Sequence, residues 1–330
     1  MLAGATRKVA AMSSTIDTLL VLALPASGKS EVRRYLAHLD PDVARADLRV
    51  GPLVQLDDYP YVHLMRRIDQ EVRALGGLPV FFLADSHPMI KGRDWATLIA
   101  LLNEDYDALG TTPAVPAAPT AWLLERFDRA RDAAGLAPPF DGLPLDVIDA
   151  LAAALDEEVE GFARGRSATL ASYEPGESTV AIEFARGGPE GVAPPLPPPH
   201  GYAFSLPFLS PDILRRASIL YVWVTPEESR RRNRDRARPG PEGDASILHH
   251  GVPDVVLHEE YGGDDLLWLA AKDGGSVAVT RNAATYRLPV AVFDNRIDHT
   301  SFLRADPSSW DAGAVASLHA ELTEVFAHLR

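Results

Sequence analysis

The tripeptide Gly28-Lys29-Ser30 stands between an apolar run, Thr18 to Leu24, and a segment in which Val32, Tyr35, Leu36 and Leu39 recur at helical spacing. A buried strand that turns through glycine straight into an amphipathic helix is the opening unit of a parallel α/β sheet. The same turn dictates chemistry. At a helix N-terminus the first amides have no partner within the helix and the helix dipole favours negative charge, so an anion fits there. Gly28 lets the backbone approach such a ligand closely, Lys29 adds a positive charge, and Ser30 offers a hydroxyl to a divalent cation.

Further short strands are expected at 53–56, 78–83, 178–184, 219–224 and 289–293, separated by helical patterns such as 62–75 and a closing amphipathic helix over 309–330. With no hairpin signal between them, these strands predict a mostly parallel sheet of five or six strands. The stretch from about 91 to 175 differs. It is rich in Ala, Leu, Asp and Glu, shows helical segments at 95–109, 121–134 and 145–164, and is punctuated by prolines at 111–119 and 137–144. It reads as a helical insertion covering one side of the sheet. Residues 187–201, crowded with Pro and Gly, read as a surface loop, and residues 1–17 as a flexible extension before a single domain over 18–330.

A formal charge of −14 argues against a protein whose main work is coating nucleic acid. The absence of cysteine removes disulfides, thiolate nucleophiles and Cys-ligated zinc. No apolar run reaches the roughly 20 residues of a membrane span or forms a signal peptide, so a cytoplasmic protein without a membrane partner is expected.

Residues Ala23-Leu24-Pro25-Ala26-Ser27-Gly28-Lys29-Ser30 resemble the phosphate-binding loop of the P-loop kinases, G-x-x-x-x-G-K-[ST], with Ala23 where that pattern has its first glycine. The resemblance implies a three-layer P-loop NTPase fold with ATP and Mg2+ as cofactors. It places Ala26, Ser27, Gly28, Lys29, Ser30 and Glu31 around the phosphates and Ser30 on the metal. Asp57-Asp58-Tyr59, at the end of the second expected strand, looks like the acid-pair motif of uridine kinases and related small-molecule kinases. On that likeness Asp57 or Asp58 takes the proton of an acceptor hydroxyl, while a helix N-cap or turn pair before Pro60 is the bland alternative. Tyr59, His63 and Arg66 then fall where an acceptor would lie, although His63, Arg66 and Arg67 read equally well as a solvated helix face.

The strand ending in Glu183-Phe184-Ala185-Arg186 carries an acid beside the expected magnesium shell, so Glu183 joins Ser30 as a metal ligand and Arg186 as a grip on phosphate or acceptor. A surface Glu–Arg pair is the alternative. Phe81-Phe82-Leu83-Ala84-Asp85-Ser86-His87 has the same form and leaves Asp85 and His87 as acceptor-site candidates. After the 219–224 strand, a Pro-Glu-Glu helix start leads into Arg230, Arg231, Arg232, Arg234, Arg236 and Arg238. This resembles a kinase lid, over about 226–265, with Arg234, Arg236 and Arg238 closing on the transferred phosphoryl group; a basic helix for RNA is the other reading. Adjacent His249 and His250 cannot ligate one metal from the same helical face, and a zinc site is not expected. The polar stretch from Ser246 through Asp264 and Asp265 reads as a loop touching the acceptor. Asp294 and Asn295, after the last strand, match the adenine-facing position of such kinases or form an Asx-turn. The expectation is an α/β phosphotransferase that moves the γ-phosphoryl of ATP to a hydroxyl of a small molecule, a nucleoside or other metabolite. An NTP hydrolase or switch and a nucleotide-dependent RNA-binding module are the rivals.

Overall fold

In the computed structural model, which describes residues 15–237 and 251–329, β1 (Thr18–Leu22) lies inside a six-stranded sheet. The other strands are β2 (Leu53–Asp57), β3 (Thr179–Phe184), β4 (Ala217–Trp223), β5 (Ser276–Arg281) and β6 (Ala284–Asp294), and the order across the sheet is β2-β3-β1-β4-β6-β5. All pairings are parallel except β5 with β6. The principal helices are α1 (Lys29–His38), α2 (Tyr59–Ala74), α3 (Asp94–Asp107), α4 (Pro119–Ala133), α5 (Leu145–Ala171), α6 (Gly201–Ser205), α7 (Pro211–Arg216), α8 (Pro226–Arg236), α9 (Asp254–Glu260), α10 (Leu266–Lys272) and α11 (Ala312–Ala327).

The central strands β1, β3 and β4 are largely apolar on both faces because both are covered. Leu20 and Leu22 of β1, Ile182 of β3 and Ile219 of β4 pack with Ile99 and Leu102 of α3 and Ile213 of α7. Leu19 and Val21, with Leu220 and Val222, pack on the opposite face with Val32 and Leu36 of α1 and Leu318 and Leu322 of α11. The period of two along each strand therefore sorts side chains into two cores, and the result is three layers. From β1 the chain crosses to β2 on one side and later reaches β4 on the other. The strand order thus reverses beside β1, where ligands of open α/β sheets lie, outside the carboxyl ends of the strands.

The region expected as a helical insertion consists of α3, α4 and α5, with its own core of Leu98, Leu123, Phe127, Leu151 and Leu155 joined to Leu64 and Ile68 of α2. α3 and α5 also pack on the edge strand β2. α5 runs to Ala171, past the expected end, because Leu151, Leu155, Val159, Ala163 and Leu170 continue one buried stripe. Gly161, on its exposed side, has nothing within 4 Å of the position a Cβ would take. Gly161→Ala is therefore expected to raise stability by about 0.5–1 kcal/mol, read as a higher urea midpoint at unchanged slope.

Three expectations need correction. Residues 78–83 form no strand: Asp69, fully buried, accepts from the backbone N–H groups of Val80 (2.6 Å), Phe81 (2.8 Å) and Phe82 (2.6 Å), which a strand would have given to a neighbour. Phe81 and Phe82 plug the core while Leu78 and Leu83 stay exposed. A hairpin does exist, β5–β6, closed through Asn282 (φ 49°) and Ala283 (φ 63°) in the left-handed pair that a two-residue hairpin turn requires. The last residues of the expected extension are docked, since Ile16 is buried and its N–H donates to Arg49 O at 2.8 Å. The loop at 187–201 is exposed over most of its length but anchored by buried Gly187, Gly188 and Leu196. No helix among the described residues is long and apolar enough to cross a membrane.

Candidate functional site

The turn between β1 and α1 has a conformation set by its small residues. Gly28 sits at φ 102°, and a Cβ there would lie 2.5 Å from both Asn295 Nδ2 and Thr300 Oγ1, so only glycine fits. Ala26 is also left-handed (φ 55°), an uncommon state for alanine that marks local strain of the kind found at binding sites. Ala23, in contrast, is not among the residues of positive φ, and its carbonyl accepts from Tyr202 Oη at 3.2 Å. The first bond of α1 runs from Val32 N to Gly28 O (2.9 Å), which leaves the amides of Lys29, Ser30 and Glu31 without an acceptor inside the helix.

This turn opens on a cavity of about 500 Å³. Lys29, Ser30, Asp57, Asp58, Glu183 and Arg236 all line it, gathered from α1, the ends of β2 and β3, and α8. Parallel register explains part of the gathering, since Asp57 and Glu183 are direct neighbours across β2 and β3. Burial pushes Lys29 below the ordinary lysine value, opposed by the carboxylates of Glu183, Asp58 and Asp57. Of the three acids beside the ammonium, Asp58 pairs with Arg186 and Glu183 with Arg33, and Arg236 adds a further cation to the lining. Ser30 and Glu183, the latter in ion contact with Arg33 Nε at 2.5 Å, both line the cavity, and no cluster of three or more His, Asp or Glu side chains that could hold a metal ion occurs among the described residues.

The two aspartates differ. Asp58 is buried and its Oδ2 accepts from Arg186 Nη1 at 2.7 Å, so its charge is matched within the protein. Asp57 accepts from Tyr59 N at 2.8 Å and from Gln55 Nε2 at 3.2 Å and has no cation in ion contact among the described residues. Burial, and then the neighbouring Glu183 and Asp58 charges, push it up to about 7. Asp57 thus makes a turn contact ahead of α2, while Asp58, the N-cap residue of that helix, makes no side-chain cap bond.

The remaining candidates divide between the cavity and its supports. Tyr59, His63, Arg66 and Asp85 line it, whereas His87 does not. Arg186 is buried behind the wall, 4.5 Å over the Trp95 ring, and acts on the site through Asp58. Of the arginine run, Arg236 lines the cavity, Arg234 is exposed and off the lining, and Arg238, His249 and His250 lie outside the described residues. Arg230 pairs with Glu190 (3.0 Å), Arg231 with Glu228 and Asp235 (2.7 Å each), and Arg232 with Glu228 (2.6 Å). Asp294 is half-buried and bound in a fork by Arg296. Asn295 is fully buried and donates Nδ2 to Ser27 O (2.7 Å) and Thr300 Oγ1 (2.9 Å). Neither lines the cavity; Asn295 is a brace under the glycine turn, and Arg232 is a second one, with Nη2 on Asn295 O at 2.6 Å. Asp264 and Asp265 are also structural, bonding Tyr221 Oη (2.6 Å) and Tyr202 N (2.7 Å).

Sequence reasoning placed Tyr261 in a polar loop touching the acceptor, and Tyr261 does line the cavity, but residues 254–260 of that stretch are the helix α9, and Trp95 and Glu260, which meet Tyr261 on the far wall, were missed. The Trp95 and Tyr261 rings stand 6.0 Å apart in an edge-on contact, and Glu260 is buried and pushed up to about 7 by that burial. These residues come from two distant segments, neither with a local motif. In comparisons with known proteins, no family model matches the chain, and no curated protein or solved structure matches it.

Proposed function

We propose that the chain is an ATP-dependent phosphotransferase of the P-loop kinase type, moving the γ-phosphoryl group of ATP to the hydroxyl of a small molecule. The observation that carries this reading is the convergence on one cavity of the glycine turn with Lys29, the Asp57 carboxyl, Glu183 and the buried Arg236. Ser30 and Glu183 would hold a magnesium ion, which would supply charge neutralisation for the phosphates. The amides at the start of α1 and Lys29 orient the triphosphate. Arg236, buried, with Nε unpartnered and no carboxylate in ion contact among the described residues, faces the same space and stabilises charge on the transferred group.

Asp57 is the base in this scheme. The acceptor oxygen forms a bond to the γ-phosphorus as the bond from that phosphorus to the β,γ-bridging oxygen breaks. The hydroxyl proton passes to the Asp57 carboxylate, and ADP leaves with the released electron pair. A base poised near neutrality is suited to this transfer. Asp58, held by Arg186, keeps the strand end in place. The cavity continues from the phosphate turn to Trp95 and Tyr261, which gives an acceptor room that a hydrolytic water does not need. The internal pairing of Arg230, Arg231 and Arg232 speaks against the arginine run as an RNA surface.

Calorimetric titration with MgATP and transfer from γ-labelled ATP to a metabolite library test the reading together. Lys29→Ala is expected to weaken nucleotide affinity at least about tenfold and to remove transfer. Tight MgATP binding that is indifferent to Lys29→Ala would sink it. So would hydrolysis unaffected by every added hydroxyl compound.

A further inference from the structure

The inference rests on the phosphotransferase reading and concerns what the acceptor must carry. Along the wall formed by α2, three basic side chains face the same region, but only two are neutralised. His63 Nε2 meets Glu158 Oε1 at 2.5 Å, and Arg67 reaches Glu158 and Glu71 at 3.0 Å each. Arg66 has no carboxylate within 4.0 Å among the described residues. It donates Nη1 to the backbone carbonyl of Asp85 at 2.5 Å and lies 3.9 Å from the Phe82 ring centroid. A carbonyl and a ring therefore hold the guanidinium in place without cancelling its charge.

The acids nearest to Arg66 are poor counter-ions. The Asp85 carboxylate is already taken by Arg73 Nη2 (3.1 Å) and Gln70 Nε2 (2.7 Å). Glu260 accepts from Met89 N at 3.1 Å, and burial keeps much of it protonated at neutral pH. Partial burial works against the Arg66 cation and lowers its pKa. A partly buried, preoriented guanidinium without an ion pair is what a fork for carboxylate or phosphate looks like before its ligand arrives. Arg236 is the other uncompensated arginine of the cavity. The charges nearest to Arg66 are those of Glu260, Asp85, Tyr261 and Tyr59, whereas Arg236 lies by Glu31, Arg304 and Tyr59 beside the phosphate turn. The cavity has two stations for negative charge, and the nucleotide needs only one.

We propose that the acceptor is an anionic hydroxy compound, whose carboxylate or phosphate seats on Arg66 against Phe82 while its hydroxyl is presented to Asp57. A neutral sugar or nucleoside leaves Arg66 uncompensated.

The test compares the full chain with Arg66→Gln in transfer from γ-labelled ATP. One acceptor panel holds hydroxycarboxylates and hydroxyalkyl phosphates, and a matched panel holds neutral polyols, sugars and nucleosides. Acceptors are expected in the anionic panel only, and its two arms separate carboxylate from phosphate. Arg66→Gln is expected to raise the acceptor KM about 100-fold, with kcat changed less than about threefold and the MgATP dissociation constant unchanged. Arg66→Lys, which keeps the charge and loses the fork, is expected to recover part of that KM. A neutral compound phosphorylated as efficiently as any anion overturns the proposal and leaves the phosphotransferase reading standing. An Arg66→Gln variant with unchanged acceptor KM, or with weakened MgATP binding, overturns it equally. MgATP hydrolysis with no acceptor in either panel removes both.

Discussion

Asp57→Asn is expected to lower phosphoryl transfer by about 10³-fold and, in the nucleotide-free protein above pH 7, to raise stability. The loss follows from removing the base while keeping an amide oxygen to accept from Tyr59 N, so the turn leading into α2 is retained. The gain follows from linkage. The carboxyl has an ordinary value of 3.8 in the unfolded chain and about 7 in the fold. Below pH 3.8 it is protonated in both states and costs nothing. Between the two values the unfolded chain ionises first, so the stability present at low pH is lost as pH rises through about 7. Allowing for residual solvent contact and for Glu183 and Asp58 relaxing, the penalty at pH 8 is about 1–2 kcal/mol. Melting curves at pH 5 and pH 8 check this: the variant's advantage should appear at the higher pH and shrink at the lower. A variant less stable than the parent at pH 8, or one retaining more than a tenth of the transfer rate, removes Asp57 from its role. The same change at Asp58 should behave differently, because there a buried guanidinium loses its counter-ion.

What was legible in the sequence follows from how far each feature reaches along the chain. The glycine turn is a run of neighbours, so Lys29 and Ser30 declare themselves locally, and Asp57 and Glu183 are marked by their places at strand ends. The arginine run was legible as a cluster but misleading in its emphasis. Glu228 and Asp235, three and four residues from Arg231, share its helix and absorb its charge, and Arg232 turns inward to the glycine turn. Residues 78–83 look like a strand because Phe81 and Phe82 are apolar and adjacent. Asp69, more than ten residues away, decides otherwise by taking three amides at once. The hairpin was hidden because Ala283 occupies a left-handed position where glycine would have announced the turn. Trp95, Glu260 and Tyr261 could not have been found as a group, since only tertiary packing makes them neighbours.

Asp105→Ala is expected to cost about 3–5 kcal/mol, a large part of the stability of an ordinary domain. The Asp105 carboxylate is buried and accepts from Arg126 Nη2 (3.0 Å), Arg166 Nε (2.5 Å) and the Tyr61 hydroxyl. Arg126 is fully buried, and its Nη1 already lacks a partner, so removing the acid leaves a guanidinium whose remaining counter-ion is the partly exposed Glu104 at 3.1 Å. Urea denaturation should show the loss as a lower midpoint. Asp105→Asn, which keeps an acceptor oxygen and loses only the charge, should cost distinctly less. The effect should also reach the site. Tyr61 lies on α2, Asp105 on α3, Arg126 on α4 and Arg166 on α5, so this single carboxylate ties the insertion to the helix that carries Tyr59 and Arg66. At temperatures where Asp105→Asn remains folded, its acceptor KM should rise by more than its MgATP dissociation constant, because α1 and the glycine turn rest on the sheet and not on this network. Equal weakening of both would show that the insertion supports the whole cavity rather than its acceptor wall.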